Sequence, residues 1–158
     1  MRSLTFALVT CSDTRTIETD EAGRALASRI EEMGWTIASH VVVTDNQATI
    51  ENALITATDE LHVDVILTCG GTGFSTHDVT PEATLSVADR LAPGIAEAIR
   101  AQSTPITRRA MLSRGQSVLR GTTLIVNLPG STKASTEAFS FIADQLEHGI
   151  EMLHGGGH

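Results

Sequence analysis

Three short apolar, β-branched runs alternate with two amphipathic stretches before residue 70, and this alternation limits the fold more than any other feature of the chain. Leu4 to Thr10 is bounded by the polar segment Ser12-Asp13-Thr14-Arg15-Thr16 and has the pattern of a buried strand. After Asp20, the residues Ala22, Leu26, Ile30 and Met33 recur at helical spacing, and Gly34 stands where a helix commonly ends in left-handed geometry. Trp35 to Thr44, with Val41-Val42-Val43, reads as a second strand; Ile50, Ala53, Leu54, Ala57 and Leu61 mark a second helix, and Val63 to Thr68 a third strand. Strands that alternate with helices pair in parallel through right-handed crossovers. The expected fold is therefore α/β: a three-layer open, mostly parallel sheet with helices on both faces.

The second half is less regular. Thr80-Pro81-Glu82 offers an N-cap, a proline at the first helical position and an acid in the first turn, so a helix is expected from there to about Asp89. Further helix is expected from Pro93 to Ser113, interrupted near Pro105, followed by a buried strand at Thr122–Leu128. Phe139, Ile142, Ala143, Leu146, Ile150 and Leu153 form the apolar stripe of a closing helix. The length, 158 residues, suits one domain, expected at 1–154, with 155–158 as a frayed tail.

Charge narrows the partners. Nineteen acids against eleven Lys and Arg give a net charge of −8, the wrong sign for a nucleic acid or an anionic membrane surface. Cys11 and Cys69 belong to no CxxC pair or zinc-type cluster, which fits a reducing compartment. The first residues are too short and polar a run for a signal-peptide core, and no stretch approaches the roughly 18 apolar residues of a membrane span. These features point to a cytoplasmic protein with no membrane partner.

In open parallel sheets ligands bind beyond the carboxyl ends of the strands, and here the residues at those ends are polar. They are Ser12-Asp13-Thr14-Arg15, Asp45-Asn46, the long run Cys69 to Asp78, and Pro129-Gly130-Ser131-Thr132-Lys133. Gly70-Gly71-Thr72-Gly73 lacks side-chain bulk at three of four positions, so it is either a tight turn or a loop whose N–H groups cradle a phosphate. It matches neither the dinucleotide fingerprint, since Thr76 replaces the last glycine, nor the P-loop pattern. Asp45 and Asp78 either cap the helices that follow or, beside a phosphate, hold Mg²⁺ against it, because an acid next to a phosphate is repulsive without an intervening cation. Glu82 would assist them or stabilise the dipole of its own helix. Ser131 and Lys133, at the start of the last helix, form a second anion candidate, with Lys133 either a phosphate partner or an ordinary exposed lysine. His77 is either a phosphate ligand or an exposed loop histidine, and no metal role falls to His148, His154 or His158. A nucleophile elbow fails at His77, and a phosphoacceptor switch fails because strand three ends in Cys69-Gly70 with no carboxylate.

Leu67-Thr68-Cys69-Gly70-Gly71-Thr72-Gly73, Asp78-Val79-Thr80-Pro81-Glu82-Ala83-Thr84 and Asn127-Leu128-Pro129-Gly130-Ser131-Thr132-Lys133-Ala134 together resemble the MogA/MoaB family of molybdenum cofactor biosynthesis. The resemblance implies a molybdopterin-binding fold and molybdopterin adenylyltransferase activity, in which Mg²⁺-ATP transfers AMP to the terminal phosphate of molybdopterin and releases pyrophosphate. It also implies that Asp45 and Asp78 are the catalytic, metal-holding acids and that Gly70, Gly71, Thr72 and Gly73 form the nucleotide-phosphate loop. Asn127, Pro129, Gly130, Ser131 and Lys133 would form the second ligand loop, and Ser12, Asp13, His77 and Glu82 would be further substrate-binding residues. His77 stands where the family often has arginine, which exchanges a permanent charge for a pH-dependent one. Family members are commonly homotrimers or homohexamers. Ser12 to Thr16 looks like the MoaB branch and Ile150 to Gly155 like the MogA branch; a non-catalytic pterin-binding or scaffold protein of the same fold is the alternative function.

Overall fold

A computed structural model describes residues 2–156; Gly157 and His158, part of the expected tail, lie outside the described residues, as does Met1. Strand β1 (Thr5–Cys11) is buried after its first residue. Helix α1 (Glu21–Glu32) starts where Asp20 accepts the N–H of Gly23 and buries Ala22, Leu26 and Ile30 on one stripe. Strand β2 (Thr36–Val43) leads to α2 (Gln47–Ile55), which runs into one π-helical turn at Thr56–Glu60. Strand β3 (Val65–Cys69) is wholly buried and is followed by α3 (Thr80–Val87), the short strand β4 (Arg90–Leu91) and α4 (Pro93–Ser103). A 3₁₀ turn (Arg108–Leu112), the hairpin strands β5 (Ser117–Arg120) and β6 (Thr123–Leu128), and the long helix α5 (Thr132–Leu153) complete the described chain.

The sheet order is β2-β1-β3-β6-β5-β4. The first four strands are parallel, whereas β5 is antiparallel to β6 and β4 to β5. The expected α/β architecture is thus observed, with β4 and β5 as additions. Strand β5 has only four residues, too few for a period-two pattern to stand out. Its signal lay in the two-residue Gly121-Thr122 connection to β6, where Gly121 has φ +55°.

Alternation along the strands builds two cores. Phe6 and Leu8 of β1 face one layer, with Leu26 and Ile30 of α1, Ile99 of α4 and Phe139 and Leu146 of α5. Ala7 and Val9 face the other, with Ile50 and Leu54 of α2 and Ala83 and Val87 of α3. Each fully buried Leu, Ile or Phe contributes about 1.5–3 kcal/mol. On the first face Phe6 stacks on Trp35 with ring centroids 5.3 Å apart, and both meet Phe139 edge-on at 6.4 Å. Among the described residues no helix is long and apolar enough to cross a membrane.

Because β1, β3 and β6 run parallel and in register, with Thr10 opposite Cys69 and Cys69 opposite Leu128, their carboxyl ends share one edge. The loops that follow them meet there.

Candidate functional site

Glycine lets those loops touch. Gly70 and Gly71 have φ +94° and +70°. A Cβ on Gly70 would stand 2.7 Å from the Cys11 carbonyl oxygen, and one on Gly130 would stand 3.3 Å from the Cα of Gly70. The ends of β1, β3 and β6 are thus in backbone contact. A Cβ on Gly71 would lie 2.2 Å from Thr80 Oγ1, which is fixed because that hydroxyl donates to the Gly70 carbonyl at 2.9 Å. Thr80 therefore does not cap α3, as its sequence position suggested: Val79 occupies the cap without a side-chain bond, and the Thr80 hydroxyl braces the loop instead. The Gly70 N–H is committed to Leu128 O at 3.1 Å, which leaves the N–H groups of Gly71, Thr72 and Gly73 without an acceptor among the described residues. The phosphate cradle expected at Gly70–Gly73 thus has its available donors at its last three positions.

The two aspartates flank this loop, and neither caps a helix. Asn46 caps α2 by accepting Thr49 N–H at 3.0 Å, so the Asp45 side chain is left out of the turn. Asp45 Oδ1 is buried with no hydrogen-bond partner among the described residues and lies 3.4 Å from where a Cβ on Gly71 would be. Burial pushes the Asp45 carboxyl above its ordinary range, and the charges of Asp13 and Asp78 add to the rise, with His77 opposing it. Asp13 also fixes Asp45 through its carboxylate, which accepts the Asp45 N–H at 2.8 Å. Asp78 Oδ2 accepts Ser75 N–H at 3.0 Å and stands 2.9 Å from where a Cβ on Gly73 would be.

No three His, Cys, Asp or Glu side chains among the described residues form a ready-made metal cage. The residues nonetheless fit Mg²⁺ as it is used beside phosphates, with one or two carboxylates from the protein and the rest of its shell from water and substrate oxygens. A buried carboxylate oxygen with no hydrogen-bond partner among the described residues is the kind of donor such an ion requires.

Sequence reasoning missed Arg114. Its guanidinium donates to Gly73 O at 2.8 Å, to Asp78 O at 2.8 Å and to Glu82 at 2.7 and 3.2 Å, while its own N–H reaches Thr72 O at 2.8 Å. One side chain thereby ties the glycine loop, the aspartate turn and the first turn of α3. The Arg114 hydrogen bond, with burial opposing it, holds the Glu82 carboxyl below its ordinary range. Glu82, expected to bind substrate, is here engaged by an arginine. A lone arginine between Ser113 and Gly115 matches no motif, which is why the sequence did not reveal it.

Asn127, expected in the second ligand loop, turns its amide inward. It is 4% exposed; its amide donates to Thr68 and Thr84 hydroxyls at 3.0 and 2.9 Å, and its oxygen accepts Gln116 N–H at 3.0 Å. With both amide donors spent inward, it joins β3, α3 and β6. The other predicted residues remain at the loop edge. Ser12 Oγ accepts the N–H groups of Thr14 and Arg15, and Ser131 caps α5 by accepting Ala134 N–H. His77 is exposed, with its N–H on Ser75 Oγ at 3.2 Å. The Lys133 side chain is 79% exposed, with Nζ 3.5 Å from Glu137. Thr72, Gly73 and Pro129 line an open apolar cavity of about 400 Å³ together with Phe74, Arg109 and Ala134. Cys11 and Cys69 are buried thiols, and burial pushes them up to about 11 and about 12, too high for a nucleophile.

Comparison with known proteins identifies the family and the fold. Residues 7–148 match the family described as "Probable molybdopterin binding domain". The chain is 42% identical over 114 residues to molybdopterin adenylyltransferase of Escherichia coli K12, an alignment covering 72% of this chain and 57% of that protein. It is 39% identical over 156 residues to the molybdenum cofactor synthesis protein cinnamon of Drosophila melanogaster, covering 97% of this chain and 26% of the fly protein. The chain thus spans somewhat over half of the bacterial relative and about a quarter of the fly relative. It is 37% identical to molybdenum cofactor biosynthesis protein B of Bacillus cereus, covering 93% and 89% of the two chains. A crystal structure of a molybdenum cofactor biosynthesis protein B superposes with TM-score 0.92 at 35% identity over 98% of each chain. That of MoaB from Thermus thermophilus gives 0.89 at 34%, over 98% of this chain and 99% of that one.

Proposed function

The chain belongs to the molybdopterin binding domain family, and from that premise we propose that it is a molybdopterin adenylyltransferase, moving AMP from Mg²⁺-ATP to the terminal phosphate of molybdopterin. The observation that carries the reading is the buried, unpartnered Asp45 Oδ1 beside a loop with three uncommitted N–H groups. A carboxylate left unpaired in the folded chain costs stability, and a cation shared with substrate phosphates removes that cost.

In this reading Asp45 and Asp78 would hold Mg²⁺, which when bound offsets the negative charge of the ATP phosphates. The N–H groups of Gly71, Thr72 and Gly73 donate to phosphate oxygens, and Lys133, exposed at the start of α5, adds positive charge. The terminal phosphate of molybdopterin attacks the α-phosphorus of ATP in line, the bond from that phosphorus to the bridging oxygen breaks, and pyrophosphate leaves. No covalent intermediate on the protein is needed, and both buried thiols are unsuited to one. The chain's contribution is positioning and fixed charge. Arg114 maintains it by keeping the loop and the Asp78 turn in one arrangement.

The test is direct: the purified protein is mixed with molybdopterin and Mg²⁺-ATP, and adenylylated pterin and pyrophosphate are measured. Stoichiometric formation of both is expected. Binding of molybdopterin without either product would make the protein a pterin-binding member of the family with no transfer activity.

A further inference from the structure

Between Glu97 and Glu137 the chain has no acid but six basic residues, Arg100, Arg108, Arg109, Arg114, Arg120 and Lys133, in a protein of net charge −8. The fold accounts for four of them. Arg100 donates to Gly115 O at 2.7 Å, Arg114 pairs with Glu82, Arg120 pairs with Asp59 at 2.7 Å, and Lys133 lies 3.5 Å from Glu137. The side chains of Arg108 and Arg109 have no ion-pair or hydrogen-bond partner among the described residues. Both sit on the 3₁₀ turn Arg108–Leu112, which buries no residue, so neither guanidinium serves the core. They differ in placement: Arg109 lines the apolar cavity that continues from Thr72 and Gly73, and Arg108 does not. Glu137 is the one carboxylate in that lining, and it is the partner of Lys133.

We propose that Arg109 is a specificity-determining residue that grips a phosphate of a substrate whose uncharged, planar body fills the cavity. A forked guanidinium at the rim of a low-polarity cavity offers two parallel donors to a phosphate. The proposal rests on the adenylyltransferase reading, in which both substrates, ATP and molybdopterin, pair a heterocycle with phosphate, and the experiment separates the two.

The unaltered chain, Arg109→Ala, Arg109→Gln and Arg108→Ala are each titrated with Mg²⁺-ATP alone and with molybdopterin alone, and KM and kcat are measured for both. Loss of charged hydrogen bonds to phosphate predicts that both Arg109 variants bind one of the two ligands at least about tenfold more weakly. The KM for that ligand should rise by the same factor while kcat stays within about twofold, and Arg108→Ala should match the unaltered chain. The ligand that weakens is the one Arg109 holds. Unchanged affinity for both ligands in the Arg109 variants, or an equal loss in Arg108→Ala, overturns the proposal. If the unaltered chain binds both ligands but transfers no AMP, the adenylyltransferase reading fails while the affinities still decide the role of Arg109. If it binds neither, both fall.

Discussion

Arg114 and Asp78 are 36 positions apart, yet the guanidinium of Arg114 donates to the backbone carbonyl of Asp78 at 2.8 Å. The same group holds Gly73 O at 2.8 Å, on the other side of the turn whose Ser75 N–H binds the Asp78 carboxylate. The acid and the glycine loop are therefore fixed relative to each other by one side chain that reaches the backbone of both.

Arg114→Ala should accordingly damage function more than its partner's loss does. Truncation leaves the carbonyls of Gly73 and Asp78 without their charged donor, at a cost of about 1–3 kcal/mol. Glu82→Gln removes only a solvent-facing ion pair, worth less than about 1 kcal/mol. Urea unfolding should show that order, and AMP transfer should fall at least about a hundredfold in Arg114→Ala, the scale of a misplaced reacting group, against a few-fold in Glu82→Gln. Equal losses in the two variants would mean the ion pair, not the carbonyl bonds, fixes the loop.

Asp45→Asn should stabilise the ligand-free protein and disable it. The Asp45 carboxyl titrates above its ordinary range in the folded chain, chiefly through burial and Asp13. The folded state therefore holds its proton more tightly than the unfolded chain, and stability falls as pH rises between the ordinary and the raised value. At pH 7 that cost is fully present, so the asparagine variant should melt higher there, and its advantage should vanish as pH is lowered through the Asp45 titration. Mg²⁺ with ATP should raise the melting temperature of the unaltered protein and not of Asp45→Asn. A variant that melts lower at pH 7 would contradict this account.

Gly71→Ala and Gly121→Ala separate backbone strain from collision. Both positions have positive φ, and left-handed geometry costs an alanine about 1–2 kcal/mol. At Gly121 nothing lies within 4 Å of the added Cβ, so the hairpin variant should lose only that amount and keep full activity. At Gly71 the Cβ meets Thr80 Oγ1, which cannot move without releasing Gly70 O. That variant should lose clearly more stability in thermal melts, and its AMP transfer should be abolished.

What could be read from the chain was whatever repeats locally. Strands β1, β2, β3 and β6 announce themselves by β-branched runs, and the turns after them by polarity, so the sheet and its polar carboxyl edge were legible in advance. Helix periodicity was equally plain in α1 and α5. What stayed hidden depends on contacts far apart in sequence. Arg114 acts across 32 to 41 positions, and Asn127, expected in the second ligand loop only through the family resemblance, sends its amide back across 43 and 59 positions into the core. Thr80 looked like a cap because its neighbours Pro81 and Glu82 are those of a helix start, but its hydroxyl serves a loop ten residues earlier.

Asp20 gives the opposite acid response to Asp45 at the same sheet edge. It is fully buried, and burial alone would raise its carboxyl; the Thr10 hydroxyl at 2.6 Å, His40 Nε2 at 2.8 Å and Gly23 N–H at 3.0 Å together outweigh burial and hold it below its ordinary range. A lowered folded value means the unfolded chain binds the proton more readily, so Asp20 contributes stability above its ordinary value that is lost as pH falls through the lowered one. Thr10→Val removes one of the donors without creating a large cavity. Its Asp20 should titrate nearer the ordinary value, so the variant should be less stable at pH 7 and lose less of its remaining stability on acidification. Urea midpoints measured between about pH 2 and pH 7, the range that spans an ordinary carboxylate titration, test this: the curves of the two proteins should converge toward the acid end, and parallel curves would show that the Thr10 hydroxyl does not support the Asp20 charge.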